Sequence, residues 1–122
     1  MKSYQALIIS VIFIIFIFLN NQVPECKTSI ENENNFFRVI GNSMYPSIKN
    51  NSFCRCYEKE DYNVRDIVIY YPLINEEYVG VSHRIIKINN NSIYLKGDNN
   101  NFIEGPIEKE NIRCYIPSVP TP

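Results

Sequence analysis

Residues Ala6–Leu19 form a run in which Ser10 is the only polar side chain, and this run constrains the chain more than any other feature. A helix needs roughly 20 apolar residues to cross a bilayer core, with about 17 as the lower limit. The run is slightly short, but Tyr4 can sit at the interface and Val23 lies just beyond. Lys2 is the only charged side chain ahead of it, which favours a cytoplasmic N-terminus and an exported remainder. A cleaved signal peptide is the rival reading, with an apolar core of about 7–15 residues followed by small residues at the cut. Here Leu19-Asn20-Asn21-Gln22-Val23-Pro24 follows, without a small-x-small site. The expectation is therefore one uncleaved transmembrane helix within residues 1–19. On either reading the rest of the chain is exported.

Export changes the meaning of Cys26, Cys54, Cys56 and Cys114, because thiols outside the cytosol can pair. Cys54 and Cys56 flank Arg55 on a β-like stretch, so they share a face and are poorly placed to bond to each other. Four cysteines allow three connectivities, and spacing does not choose among them. Four unpaired thiols remain the alternative. A metal site is not expected, since His83 is the only histidine and no Cys-x-x-Cys spacing exists. With 13 acidic against 12 basic side chains, the chain lacks the excess basic charge that a nucleic-acid binder uses on phosphates.

Residues 20–35 are polar and broken by Pro24, and read as a linker. From Phe36 onward, short apolar runs alternate with turn residues. The runs are Phe36–Ile40, Phe53–Tyr57, Ile67–Tyr71, Tyr78–Ile88, Ile93–Leu95 and Ile112–Ile116. They are rich in Ile, Val, Tyr and Phe, which suit a pleated, half-buried surface. Asn50-Asn51, Asn89-Asn90-Asn91 and Asn99-Asn100-Asn101 separate runs, as turns require. Residues 36–117 thus read as a small, mostly β domain, and residues 118–122 as an exposed tail.

Three segments of that domain can carry chemistry. Gly41-Asn42-Ser43-Met44-Tyr45-Pro46 follows directly on an apolar run. A turn entered from a strand can hold a serine hydroxyl and aim backbone N–H groups at an oxyanion. His83 lies inside the long apolar run Tyr78–Ile88, and histidine is the usual base for a serine near neutral pH. Gly97-Asp98-Asn99 could supply a carboxylate that orients the imidazole. Taken singly, each segment is better explained as a turn or a half-buried strand residue.

In this order the segments resemble the type I signal peptidases, membrane-anchored serine proteases that remove signal peptides from exported proteins. Ser43-Met44-Tyr45-Pro46 is similar to the nucleophile motif of that family, and Val64-Arg65-Asp66-Ile67-Val68-Ile69-Tyr70 to the strand motif that follows it. Ser82-His83-Arg84-Ile85-Ile86 is similar to the general-base motif, and Gly97-Asp98-Asn99-Asn100 to the closing motif. A histidine at the base position is similar to the endoplasmic-reticulum type, rather than to members that use lysine. Arg65 departs from the pattern, which has glycine there.

The resemblance implies a partly open, coiled β-sheet domain behind the anchor, with a hydrophobic edge facing the membrane. It implies Ser43 as nucleophile, His83 as base and Asp98 as acid, with Glu104 as a second acid candidate. The oxyanion hole would draw on Asn42, Ser43 and Met44. No cofactor is implied. The partners would be signal peptides of preproteins, the lipid membrane, and other subunits of a processing complex. The location would be the cell membrane or the endoplasmic reticulum membrane, with the catalytic domain outside or in the lumen. Another processing protease of the same fold, or a non-enzymatic anchored β subunit, are the alternatives.

Overall fold

A computed structural model of the chain describes residues 22–29, 34–71, 73–74, 77–78 and 80–120. The expected anchor at 1–19 lies outside the described residues. Among those described, no helix is long and apolar enough to cross a membrane.

The described chain is mostly β, with one 3-10 turn at Lys109–Asn111. The strands are β1 (Gln22–Pro24), β2 (Cys26–Lys27), β3 (Phe36–Val39), β4 (Ser52–Arg55), β5 (Ile67–Tyr70) and β6 (Leu73–Ile74). They continue as β7 (Glu77–Tyr78), β8 (Val81–Asn89), β9 (Ser92–Lys96), β10 (Glu104–Glu108), β11 (Ile112–Ile116) and β12 (Ser118–Pro120). The main sheet has the order β10-β9-β8-β5-β11, and a three-stranded sheet has the order β2-β4-β3. Two further pairs, β1-β12 and β6-β7, complete the set, and every pairing is antiparallel.

The core follows from the pleat of β5, whose four residues are all buried. Successive side chains of a strand point to opposite faces. Ile67 and Ile69 pack with Val39, Met44, Ile48, Ile116 and the cysteines. Val68 and Tyr70 pack with Ile85, Ile93, Leu95 and Ile112 on the other face. Burying one such side chain stabilises by about 1.5–3 kcal/mol. A strand buried on both faces has no polar alternation, which is why Ile67–Tyr70 reads as an unbroken apolar run.

The hairpin β8–β9 turns at Asn90-Asn91, with Asn90 at φ +56°. Asparagine tolerates this left-handed conformation better than most residues. The run Tyr78–Ile88, expected to be continuous, is shared between β7, which ends at Tyr78, and β8, which begins at Val81.

Two expected boundaries shift. Residues 20–35, expected as a linker, contribute β1 and β2, and the expected tail 118–122 contributes β12. β1 pairs with β12 through Gln22↔Pro120, Val23↔Val119 and Pro24↔Ser118. Prolines can stand in such strands because each is an edge strand with one partner. The pairing joins residues about a hundred positions apart, so no local pattern announces it.

The cysteines form two disulfides, Cys26–Cys54 and Cys56–Cys114, and leave none free. The first links β2 to β4 across directly opposed positions. The second ties the residue after β4 to β11, and so one sheet to the other. Sequence separations of 28 and 58 residues correspond to about 3.5 and 4 kcal/mol of loop-closure stabilisation.

Candidate active site

Ser43 sits in the turn between β3 and β4. Gly41 enters it at φ +102°, where a side chain would be strained, and its N–H donates to Asn50 Oδ1 at 2.8 Å. The Tyr45 N–H bonds to Asn42 O at 3.2 Å, and the Ile48 N–H bonds to Met44 O at 2.9 Å. Met44 and Ile48 are buried and fasten the turn to the core. The N–H groups of Asn42, Ser43 and Met44 find no acceptor among the described residues. They remain available to an oxyanion.

The segment Gly97–Asn100 braces this turn. The Asn99 N–H donates to Ser43 O at 2.8 Å, and Asn99 Nδ2 donates to Asn42 O at 3.0 Å. A Cβ on Gly97 would lie 2.7 Å from Ser43 O, so only glycine permits this approach. The Asp98 N–H points at Met44 Sδ at 3.4 Å.

The Asp98 carboxylate is paired with Arg84 and Ser47. Arg84 Nε and Nη2 donate to its two oxygens at 2.9 Å each, and the Ser47 hydroxyl donates to it at 2.5 Å. Burial pushes this carboxyl up, but the hydrogen bonds from Arg84 and Ser47, and the charges of Arg84 and Lys96, outweigh burial and hold it below its ordinary 3.8. Arg84 Nη1 also donates to Arg65 O at 3.0 Å. Asp98 was expected to orient His83; its carboxylate instead pairs with the next residue, whose side chain leaves the strand on the opposite face.

His83 is 4% exposed and lies opposite Val68 in the register of β5 and β8. Its Nδ1 stands 3.2 Å from the Tyr70 hydroxyl and 3.3 Å from Glu104 Oε2. The Tyr70 hydroxyl donates to that same Oε2. Burial, then the hydrogen bond and charge of Glu104, raise the Tyr70 phenol well above its ordinary value, so it stays protonated and stays a donor. Glu104, the second acid candidate, is therefore the carboxylate beside the imidazole.

Glu104 opens β10 opposite Leu95. The register slips between Glu104 and Ile107, across Gly105-Pro106. Gly105 is at φ +125°, and a Cβ there would lie 2.8 Å from Ile93 O. This bulge bends the edge strand next to the carboxylate. Tyr70 was not anticipated as part of the site. Its only signal in the sequence is its place at the end of a fully buried strand, where a phenol needs a hydrogen-bond partner.

No hydrogen bond joins Ser43 Oγ to His83. Such bonds are often long or misaligned without substrate and tighten in the reacting complex. A cleft of about 470 Å³ adjoins Ser43, lined by Phe37, Val39, Ile40, Ile69 and Ser82 among others. A larger cavity of about 1120 Å³ shares Tyr70 but not Ser43, His83 or Glu104, so size alone does not locate the chemistry. Among the described residues, no cluster of three His, Cys, Asp or Glu side chains is arranged to hold a metal ion.

A serine on a braced turn, a buried histidine and a carboxylate on Nδ1 are the parts of a serine peptidase site. The family model described as Peptidase S24-like matches residues 17–116, and the chain belongs to that family. Its fold is accordingly that of a serine peptidase-like hydrolase. No curated protein and no solved structure matches the chain.

Proposed function

We propose that the protein is a membrane-anchored serine endopeptidase of signal peptidase type that removes signal peptides from exported preproteins. Ser43 is the nucleophile, His83 the general base and Glu104 the acid that orients it. The observation that carries this reading is the buried Nδ1 edge of His83, 3.3 Å from Glu104 Oε2, in the segment that resembles the general-base motif. With Nδ1 facing Glu104 and Tyr70, the imidazole leaves Nε2 to take a proton. Ser43 Oγ attacks the scissile carbonyl as its proton passes to His83. The N–H groups of the Ser43 turn receive the oxyanion. The imidazolium, stabilised by Glu104, then returns the proton to the leaving amine, giving an acyl-enzyme. Water hydrolyses that ester by the same route in reverse.

Three further features support this reading. The run Ala6–Leu19 would hold the site near a bilayer, where a membrane-bound substrate is locally concentrated. Two disulfides suit a domain that folds outside the cytosol. Ile40, Tyr45, Phe102 and Ile103 are exposed on the Ser43 turn and on the chain just past its brace, as an edge facing lipid would require.

The test is cleavage of a model preprotein by the full chain in liposomes, with the product N-terminus sequenced. Ser43→Ala should reduce turnover by at least about 10⁴-fold with the fold intact. Cleavage at the wild-type rate by Ser43→Ala removes Ser43 from the mechanism.

A further inference from the structure

We infer that Ser82 sets the side-chain preference of the cleft beside Ser43: its hydroxyl receives an uncharged, hydrogen-bonding side chain of the peptide to be cut. The inference rests on the peptidase reading above and extends it to substrate choice.

Ser82 and His83 are neighbours on β8, so their side chains leave the sheet on opposite faces. His83 turns toward Tyr70 and Glu104. Ser82 stands opposite Ile69 in the register and lines the Ser43 cleft. It is 9% exposed, and its Oγ is buried with no hydrogen-bond partner among the described residues. A hydroxyl in that condition raises the energy of the folded chain until something pairs with it. Around it the cleft presents the hydrocarbon of Phe37, Val39, Ile40 and Ile69; Arg38 also lines it, exposed and with its Nε donating to Asn51 Oδ1 at 2.8 Å.

A substrate methyl group pressed onto this surface would displace water and leave Oγ unsatisfied. A serine or threonine side chain of the same size would fill the space and supply the missing partner. A site built around a hydrogen bond rejects the analogue that lacks it, because its own buried polar group is then stranded. A charged side chain is disfavoured for another reason. It would give up its hydration for one neutral hydroxyl in apolar surroundings. The occupant is therefore polar and neutral.

The experiment uses peptides that span a cleavage site, varied at each of the first four positions before the cut. The pairs are Ser against Ala and Thr against Val, which hold size nearly constant. Wild type should cleave the hydroxyl member about tenfold faster at one position, and Ser82→Ala should erase or reverse that ratio. The Ser43→Ala chain, titrated with the same peptides by calorimetry, should show the same preference in binding. The double variant Ser43→Ala, Ser82→Ala should lose it. A thermal melt of Ser82→Ala at or above wild type shows that the variant folds. Equal cleavage and equal binding within each pair overturns the inference and leaves the peptidase reading standing. Absence of cleavage, with a binding preference that depends on Ser82, overturns the peptidase reading and supports the role of Ser82. Absence of both cleavage and binding overturns both.

Discussion

Asp98 and Glu104 stand six positions apart, yet the structure gives their carboxylates different work. Asp98 lies in a tight turn and is held by Arg84 and Ser47. Glu104 opens a bulged edge strand, and among the described residues its carboxylate meets the buried pair Tyr70 and His83. A tight turn predicts a well-fixed carboxylate, and Asp98 is well fixed. Fixation by other partners is also what keeps a carboxylate away from the imidazole. The residue in the looser segment meets His83, and no cation among the described residues draws it elsewhere.

The largest expected effect separates these two. Glu104→Gln should lower kcat by at least about 10²-fold with an unchanged melting profile, as loss of an orienting acid does. Asp98→Asn should act first on stability. It leaves the partly buried donors of Arg84 without their anion, at a cost of about 1–3 kcal/mol, and it loosens the brace on Ser43. Kinetics and melting of the two purified variants check the pair. A folded, inactive Asp98→Asn beside an active Glu104→Gln would reverse the assignment.

Tyr70→Phe sharpens the Glu104 side. The phenol pins a carboxylate that is 31% exposed, and without it that side chain can turn to water. Turnover should fall about tenfold, with little change in KM or melting temperature. Wild-type turnover in the phenylalanine variant would show that Glu104 is positioned without it.

Acid sharpens the Asp98 side. A carboxyl held below 3.8 in the fold adds stability at higher pH, and that contribution fades as pH falls through its folded value. The difference in melting temperature between wild type and Asp98→Asn should therefore be full near neutrality and shrink below about pH 4. A difference constant down to pH 2 would show that the Asp98 charge contributes nothing.

The smallest effect concerns Arg65, whose carbonyl Arg84 also holds. Arg65 is at φ +83°, the region that favours glycine. Arg65→Gly should be neutral or stabilising by up to about 1 kcal/mol, since relief of backbone strain exceeds the added freedom of the unfolded chain. Denaturant melts measure it, and a clear loss of stability would mean that the Arg65 side chain makes up for its backbone.

Much of the sheet was legible in the sequence. The runs Ile67–Tyr71, Ile93–Leu95 and Ile112–Ile116 correspond to β5, β9 and β11 because burial and β-propensity coincide there. β10 was not legible, since Glu104-Gly105-Pro106-Ile107-Glu108 lacks both alternation and β-branched residues apart from Ile107. It is a strand only because β9 offers it an edge. β1 and β12 were hidden for the same reason, as each depends on a partner at the far end of the chain. At the site, residue types and order marked Ser43 and His83 as candidates. Which carboxylate meets the imidazole depends on strand faces and on the competing Arg84, and neither is visible as spacing.

The two disulfides have one more consequence. Ser43 lies within the loop closed by Cys26–Cys54, while His83, Asp98 and Glu104 lie within the loop closed by Cys56–Cys114. A backbone cut at any point inside either loop leaves the two sides of the cut covalently joined. If the proposed export holds, the protein meets other proteases, and a peptidase can also meet its own copies. Here a nick beside the nucleophile, or beside the base, would not release a fragment until the sulfur bridges were reduced. The two parts of the site are thus each ringed by their own bond, and a clipped molecule would run as one piece on a non-reducing gel and as two after reduction.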